Sequence, residues 1–194
     1  MVYIDEHIDD FNLPTALADI SAQRREQALR FKHERSQRMC VLAYLLLKKA
    51  LREEYGITDN PLFEYGDHGK PQIVGHPDIH FNLSHCREAV ACVVSRQPVG
   101  IDVESVNRYK EALVHHTMND YEQAQILAAD RPDVAFTRLW TMKEARLKLT
   151  GEGITTDLKT VLDDRALWRF TTIEQLERNY IYTLCEPLTE QSHS

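Results

Sequence analysis

The stretch VGIDVE, Val99 to Glu104, alternates β-branched side chains with a glycine and two carboxylates. In a β-strand, successive side chains point to opposite faces, so the three apolar residues are expected on one face. The glycine and the two acids then share the other face. The alternation predicts a strand with one apolar face in the core and one acidic face.

Asp102 and Glu104 are expected about 6.5–7 Å apart along this strand, so both carboxylates can reach one divalent cation. Hard oxygen ligands favour Mg²⁺, with Mn²⁺ as a substitute, over Zn²⁺, which prefers thiolate and imidazole. The alternative is an ordinary strand face with both acids in solvent. These six residues alone favour that alternative, because charged side chains usually lie on surfaces.

The surrounding sequence predicts helices and strands in alternating blocks. A segment without Gly or Pro, capped at Ser21 and ending at Gly56, predicts one or two helices, and residues 109–149 predict further helices broken at Asn119 and near Pro132. The runs IHFNLS, AVACVVS and VGIDV are expected to be strands of one sheet, and ALWRFT and NYIYTLCE are expected to be later strands. The order favours an α+β chain of two α/β lobes, residues 1–97 and residues 98–194.

Composition limits the classes of function. The 194 residues carry a net charge of −7, with 43% hydrophobic and 27% charged residues, which is typical of a globular protein. The negative charge argues against a nucleic-acid partner, and the lack of a long apolar run argues against a membrane span. The cysteines lack a C-x-x-C pair and the first residues lack a signal-peptide pattern, so a cytoplasmic location is expected.

A second candidate block is FTRLWTMKEARLKLTGEG, residues 136–153. It predicts a helix that ends in glycines and on which Trp140, Glu144 and Lys148 share one face. Glu144 is a candidate third metal ligand, and Lys148 could reach a phosphate oxygen of the same substrate. The alternative is a surface Glu–Lys pair of the kind that adds a few tenths of a kcal/mol to a helix.

Two shorter blocks precede the acidic strand. In FNLSHC, Ser84 and the following His85 fall where the strand is expected to end, and both side chains can donate hydrogen bonds to phosphate. In HGKP, a glycine permits close approach of a ligand and Lys70 offers a mobile ammonium. The alternatives are a capped turn with a structural histidine and a simple turn.

Taken in order, GKP, FNLSH, VGIDVE and FTRLWTMKEARLKLTGEG resemble the signature blocks of the 4′-phosphopantetheinyl transferases, in particular the surfactin-synthetase-activating type. The resemblance extends over about residues 20–155. It implies a monomer built as a pseudo-dimer, with two pseudo-twofold-related lobes and coenzyme A bound in the cleft between them.

The resemblance also implies roles for individual residues. The metal ligands would be Asp102, Glu104 and Glu144, and Lys148 would contact the pyrophosphate of coenzyme A. The contacts to the nucleotide end of the coenzyme would be Lys70, Ser84 and His85. An N-terminal basic helix would bind coenzyme phosphates through Arg24, Arg30 and Arg38. By spacing, Glu122 would be the acid that contacts a metal-bound water.

The expected reaction moves the phosphopantetheine arm of coenzyme A to a serine of an acyl or peptidyl carrier protein and releases adenosine 3′,5′-bisphosphate. Glu144 is the first candidate for the general base, with Glu122 or a metal-bound water as alternatives. The carrier could belong to fatty-acid, polyketide or nonribosomal-peptide synthesis. Two other functions compete: a non-catalytic module that binds coenzyme A or a carrier protein, and a Mg²⁺-dependent hydrolase of nucleotide pyrophosphates.

Overall fold

The helices begin and end at the residues that the sequence singles out. The Ser21 hydroxyl accepts a hydrogen bond from the Arg24 backbone nitrogen, and the next helix ends at Gly56 in a left-handed conformation. Asn119, where a break is predicted, forms a capping box with Glu122, with both reciprocal hydrogen bonds present. The predicted caps and breaks are therefore confirmed.

The computed structural model of the chain describes residues 1–66, 69–153 and 157–188. The elements of the first half are β1 (Val2–Asp5), α1 (Leu13–Asp19), α2 (Ala22–Leu29), α3 (Glu34–Tyr55), β2 (Phe63–Tyr65), β3 (Pro71–Ile73), β4 (His80–His85) and β5 (Val90–Ser95). Those of the second half are β6 (Gly100–Ser105), α4 (Glu111–Thr117), α5 (Asp120–Leu127), α6 (Pro132–Thr150), β7 (Trp168–Gln175) and β8 (Tyr180–Pro187). None of the helices described in these ranges is long and apolar enough to cross a bilayer.

The strands form antiparallel sheets, and the chain is α+β as predicted. One sheet has the order β1-β5-β4, a second has the order β6-β8-β7, and β2 pairs with β3 as a hairpin. The middle strand of each three-stranded sheet is the last strand of its half of the chain, β5 or β8. In each half, this strand pairs with the first strand, β1 or β6. The two sheets share this order, while the two lobes and their boundary between residues 97 and 98 stay predictions. Of the predicted HGKP turn, Gly69 and Lys70 lie between the hairpin strands, and positions 67 and 68 lie outside the described residues.

The prediction that β4, β5 and β6 share one sheet is wrong for β6, which belongs to the second sheet, while β4 and β5 pair as predicted. Side chains of β4 lie between its backbone and that of β6: the Asn82 Oδ1 accepts from the Ile101 backbone nitrogen at 2.9 Å, and the Ser84 Oγ accepts from the Val103 backbone nitrogen at 3.2 Å. These polar side chains take the hydrogen bonds that a neighbouring backbone would otherwise make. The strands are therefore linked without forming a ladder.

The apolar side of β6 is buried against the first half of the chain. Ile101 and Val103 pack in one cluster with Ala91 and Val93 of β5 and with Tyr180. A larger cluster on the other side of the first sheet contains the buried face of α3. The strand is thus fixed in the core, as its alternation predicts.

Candidate active site

Helix α6 covers the polar face of β6 and runs antiparallel to it. At one end of the contact, the Trp140 Nε1 donates to the Glu104 Oε1 at 3.1 Å. At the other end, the Lys148 Nζ donates to the Asp102 Oδ1 at 2.6 Å. The predicted helix face and the predicted strand face therefore meet, with Glu144 one turn from each of the two contacting helix residues.

Asp102 lies at the centre of a buried polar group. Only 2% of this residue is exposed. Its Oδ1 accepts hydrogen bonds from Lys148 and from the Ser84 hydroxyl, the latter at 2.9 Å. Its Oδ2 is buried and has no hydrogen-bond partner in the described part of the chain. A buried carboxylate oxygen without a partner is costly, so this atom suits a cation.

The three predicted metal ligands do not form a preassembled site. Among residues 1–66, 69–153 and 157–188, no three His, Cys, Asp or Glu side chains are grouped closely enough to hold a metal ion. The chemistry of the donors nevertheless fits Mg²⁺, because carboxylate oxygens are the ligands that this ion takes from proteins. The buried Oδ2 of Asp102 and the shared orientation of Asp102 and Glu104 towards α6 are consistent with that fit.

A cavity of about 250 Å³ opens beside this group. Its wall includes Glu144 and Lys148 from α6, Asn82 from β4, and Lys70 from the turn between β2 and β3. The Lys70 Nζ donates to the Leu149 carbonyl oxygen at 2.6 Å, near the C-terminal end of α6. Burial lowers the pKa of the Lys70 ammonium below its ordinary value. Two lysines and a carboxylate thus border one open space.

A second cavity, of about 340 Å³, shares Asn82 and Pro71 with the first. Arg24 and His85 line it together with several aromatic side chains. The His85 side chain is exposed at this cavity. Partial burial lowers the pKa of its imidazole below the ordinary value, and the positive charges of Lys148 and Arg24 add to that effect. The two cavities are therefore adjacent, with polar and aromatic side chains in the wall of the second.

The three predicted arginines differ in position. Arg24 is buried and donates to the Cys40 carbonyl oxygen through its Nε and Nη2. Arg30 pairs with Glu26, and Arg38 pairs with Glu34. Neither Arg30 nor Arg38 is among the described residues that line the two cavities. The structure therefore brings only Arg24 to the predicted site.

Two other predicted residues have contacts that the sequence did not indicate. The hydroxyl of Ser84 is used by Asp102, Lys148 and the Val103 backbone, which satisfies its single donor and both acceptor positions. The Glu122 carboxylate accepts from the Lys143 Nζ at 2.7 Å and from the Asn119 backbone nitrogen. Both side chains therefore have structural partners.

Lys143 is a buried charged residue that the sequence analysis missed. Its side chain is completely buried, and its ammonium also donates to the carbonyl oxygens of Thr117 and Leu158. Desolvation lowers the pKa of this ammonium, although Glu122 opposes the shift. The lysine precedes Glu144 in the sequence, but nothing in the sequence distinguishes it from a surface lysine. Phe31 and Tyr65 of the second cavity were missed because they lie outside the recognised blocks.

The fold and site define a class of protein: an α+β chain in which a cavity bordered by two lysines lies beside paired strand carboxylates. Sequence comparison gives the family. A sequence model described as the 4′-phosphopantetheinyl transferase superfamily matches residues 98–189. The chain is 30% identical over 160 residues to a 4′-phosphopantetheinyl transferase of Bacillus subtilis, covering 81% of this chain and 71% of that protein.

Two further relatives agree with this assignment. The 4′-phosphopantetheinyl transferase Sfp of Bacillus subtilis strain 168 is 29% identical over 160 residues, with coverage of 81% of this chain and 71% of Sfp. The 4′-phosphopantetheinyl transferase psf-1 of Bacillus pumilus is 34% identical over 144 residues, with coverage of 73% and 62%. The chain belongs to the 4′-phosphopantetheinyl transferase superfamily and is an enzyme of the Sfp type.

Proposed function

We propose that this enzyme transfers the 4′-phosphopantetheine arm of coenzyme A to a serine of an acyl or peptidyl carrier protein. The observation that carries the proposal is the contact between α6 and β6, where Lys148 and Glu144 border a cavity next to Asp102. Such a pocket suits a pyrophosphate, because lysines bind the oxygens and carboxylates can share a divalent cation with them.

The coenzyme would occupy the two joined cavities. Lys70 and Lys148 border the first cavity and would bind the pyrophosphate, while Arg24 and His85 border the second and would bind the nucleotide end. Ser84 would act indirectly, by holding Lys148 and Asp102 in place. We propose that the coenzyme lies between two lobes, residues 1–97 and 98–194, of a monomer.

Asp102, Glu104 and Glu144 would hold Mg²⁺, or Mn²⁺ in its place, and the bound ion would neutralise charge on the pyrophosphate. Trp140 would keep the Glu104 carboxylate oriented through its indole N–H. Lys148 would add a second positive charge at the phosphate that is attacked.

In the proposed step, the carrier serine oxygen forms a bond to the β-phosphorus, and the bond from that phosphorus to the bridging oxygen breaks. Adenosine 3′,5′-bisphosphate leaves with the bridging oxygen. Glu144, which lines the cavity, would accept the serine proton. Glu122 is a weaker candidate for the base because Lys143 and Asn119 already engage its carboxylate.

The four cysteines are free and buried in the described structure, which is compatible with the proposed cytoplasmic location. Burial raises the pKa of the Cys86 thiol to about 11, so this thiol is protonated at neutral pH. It lies next to His85 in the sequence, but a protonated thiol is a poor nucleophile. The proposal therefore gives the cysteines no chemical role.

Mass spectrometry tests the proposal. The enzyme is incubated with coenzyme A, Mg²⁺ and a panel of apo carrier proteins from fatty-acid, polyketide and nonribosomal-peptide synthesis. We expect at least one carrier to gain the mass of one phosphopantetheine group, and the same carrier with its acceptor serine changed to alanine to gain none. Binding without a mass change would indicate a binding module. Cleavage of coenzyme A without transfer would indicate a pyrophosphate hydrolase.

A further inference from the structure

In this structure Lys148 binds one oxygen of the Asp102 carboxylate, the group that a cation would share. Its Nζ is 2.6 Å from the Asp102 Oδ1 and 2.9 Å from the Ser84 Oγ. The Asp102 side chain is 4% exposed and the Lys148 side chain 28% exposed. A carboxylate this deeply buried needs a positive partner, because desolvation of an unpaired charge is costly.

We propose that Lys148 is an internal counterion that competes with the divalent cation for Asp102, so that the metal binds tightly only together with an anionic substrate. The inference rests on the proposed metal role of Asp102. It assigns to Lys148 a function in the free enzyme that precedes its contact with pyrophosphate. It also predicts an order of assembly, in which metal and coenzyme bind cooperatively.

The first argument is electrostatic. A metal ion that approaches Asp102 alone must share the carboxylate with an ammonium group already in hydrogen-bond contact with it. Two adjacent cations repel each other, and the repulsion is stronger in a buried site than in water. A pyrophosphate removes this conflict, since its oxygens give the ammonium a new partner and give the metal further ligands.

The second argument is geometric. Lys148 also lines the cavity that contains Glu144, so its ammonium lies between Asp102 and the space proposed for the pyrophosphate. A flexible lysine side chain can turn from the carboxylate to a phosphate by changing rotamers alone. The opposite oxygen, the Asp102 Oδ2, has no hydrogen-bond partner among the described residues and is available to a cation.

The third argument concerns assembly. No three acidic, histidine or cysteine side chains in the described ranges are grouped as a metal site, although Asp102 and Glu104 share one strand face. A site that is incomplete without its substrate is expected to bind free metal weakly. Ser84 stabilises the pair of Lys148 and Asp102 in the free enzyme, because its hydroxyl contacts both side chains.

The test measures the binding of Mn²⁺ alone by electron paramagnetic resonance. It compares the Lys148→Gln variant with wild-type protein. We expect the variant to bind Mn²⁺ about tenfold more tightly than wild type, because its internal competitor is gone. The matched control is Lys48→Gln, which removes a lysine paired with Asp19 at another surface and is expected to leave Mn²⁺ binding unchanged. Equal or weaker Mn²⁺ binding by Lys148→Gln overturns the proposal.

A second arm adds coenzyme A without a carrier protein, so that no transfer occurs. Coenzyme A should strengthen Mn²⁺ binding to wild type, and it should do so much less in Lys148→Gln. If Lys148→Gln does not fold, Ser84→Ala replaces it, and the loss of one hydrogen bond to Lys148 should raise the affinity for Mn²⁺ by a smaller factor. Unchanged or weaker binding by Ser84→Ala would overturn the proposal in that case.

The two proposals can fail separately. If wild type modifies a carrier protein but Lys148→Gln binds Mn²⁺ no more tightly, the counterion inference is wrong and the proposed function stands. If wild type neither binds Mn²⁺ with coenzyme A nor modifies any carrier, the proposed function is wrong. Asp102→Asn serves as the reference for lost metal binding in both arms.

Discussion

Gly100 lies directly beneath Ala145, so that helix α6 packs against strand β6 backbone to backbone. A Cβ atom on Gly100 would lie 2.7 Å from the Leu149 backbone nitrogen and closer still to the Ala145 carbonyl oxygen. Neither backbone atom can move without displacing the helix. The approach sets the spacing at which Lys148 reaches Asp102.

We therefore expect Gly100→Ala to lower the free energy of unfolding by about 1–3 kcal/mol, as overpacking in a rigid core does. Transfer activity should fall as well, because a displaced α6 separates Lys148 and Glu144 from the strand. Urea unfolding and the transfer assay measure the two effects. The control is Gly66→Ala, since nothing described lies within 4 Å of a Cβ there. Wild-type stability of Gly100→Ala would contradict the packing argument.

Glu144→Gln should reduce transfer by about a hundredfold or more while the protein stays folded, because the amide can neither accept the serine proton nor supply a charged ligand. The change is nearly isosteric, so far-ultraviolet circular dichroism should match wild type. Glu111→Gln, on α4 and exposed, is the control. A rate for Glu144→Gln near that of wild type would exclude Glu144 from both roles.

Chelation should stop transfer. We expect EDTA to abolish the mass shift of the carrier protein, and added Mg²⁺ or Mn²⁺ to restore it, since three carboxylates are proposed to share the ion with pyrophosphate. EDTA saturated with Mg²⁺ beforehand is the control for effects of the chelator itself. Unchanged turnover in excess EDTA would remove the metal from the proposed mechanism.

The buried pair of Glu122 and Lys143 should be needed for the stability of the fold. Removal of one partner, in Glu122→Gln or Lys143→Met, leaves a buried group without its counterpart and should cost about 3–5 kcal/mol. The double variant should lose less free energy of unfolding than the two single variants lose together. Equivalent changes at the exposed pair of Arg30 and Glu26 should cost about 0–1 kcal/mol.

A double-mutant cycle by urea unfolding measures the coupling of the Glu122–Lys143 pair. The same proteins are then assayed for transfer at a temperature where all of them are folded. A Glu122→Gln protein with full stability and little activity would contradict the structural role and would restore Glu122 as a candidate base.

His85 should make coenzyme binding dependent on pH. The pKa of its imidazole is lowered in the free protein by partial burial and by Lys148 and Arg24, while Asp102 opposes the shift. An anionic phosphate nearby would raise that pKa, so binding takes up a proton and His85 strengthens binding as pH falls towards the lowered pKa of the free protein, which lies below the ordinary histidine value of about 6.5. By the same linkage, the free protein loses stability as pH falls below that value, because the unfolded imidazole is protonated more readily.

Titration calorimetry of wild type and His85→Gln from about pH 7.5 to 5.5 checks this expectation. The difference between the two proteins isolates the histidine, because protonation of the coenzyme phosphates affects both equally. The proton uptake can be verified in buffers of different ionisation enthalpy. Identical pH dependence in the two proteins would place His85 away from the bound phosphates.

The sequence by itself determined most elements and the family. Ser21, Gly56 and the Asn119 capping box fixed helix ends, because these signals act through local hydrogen bonds and backbone conformation. The alternation in VGIDVE identified a strand with one buried face, and the helical spacing of Trp140 and Lys148 identified the face that contacts it.

The tertiary structure alone decided how these elements combine. The separation of β6 from the sheet of β4 involves Asn82 and Ser84, whose side chains accept hydrogen bonds from the β6 backbone. These residues are far apart in the sequence, so no local pattern predicts the contact. The burial of Lys143 with Glu122, and the pairing of Lys148 with Asp102, join residues from separate elements. Charged residues look alike in a sequence. Only the packing of helix on strand determines which of them lose water and must find a partner.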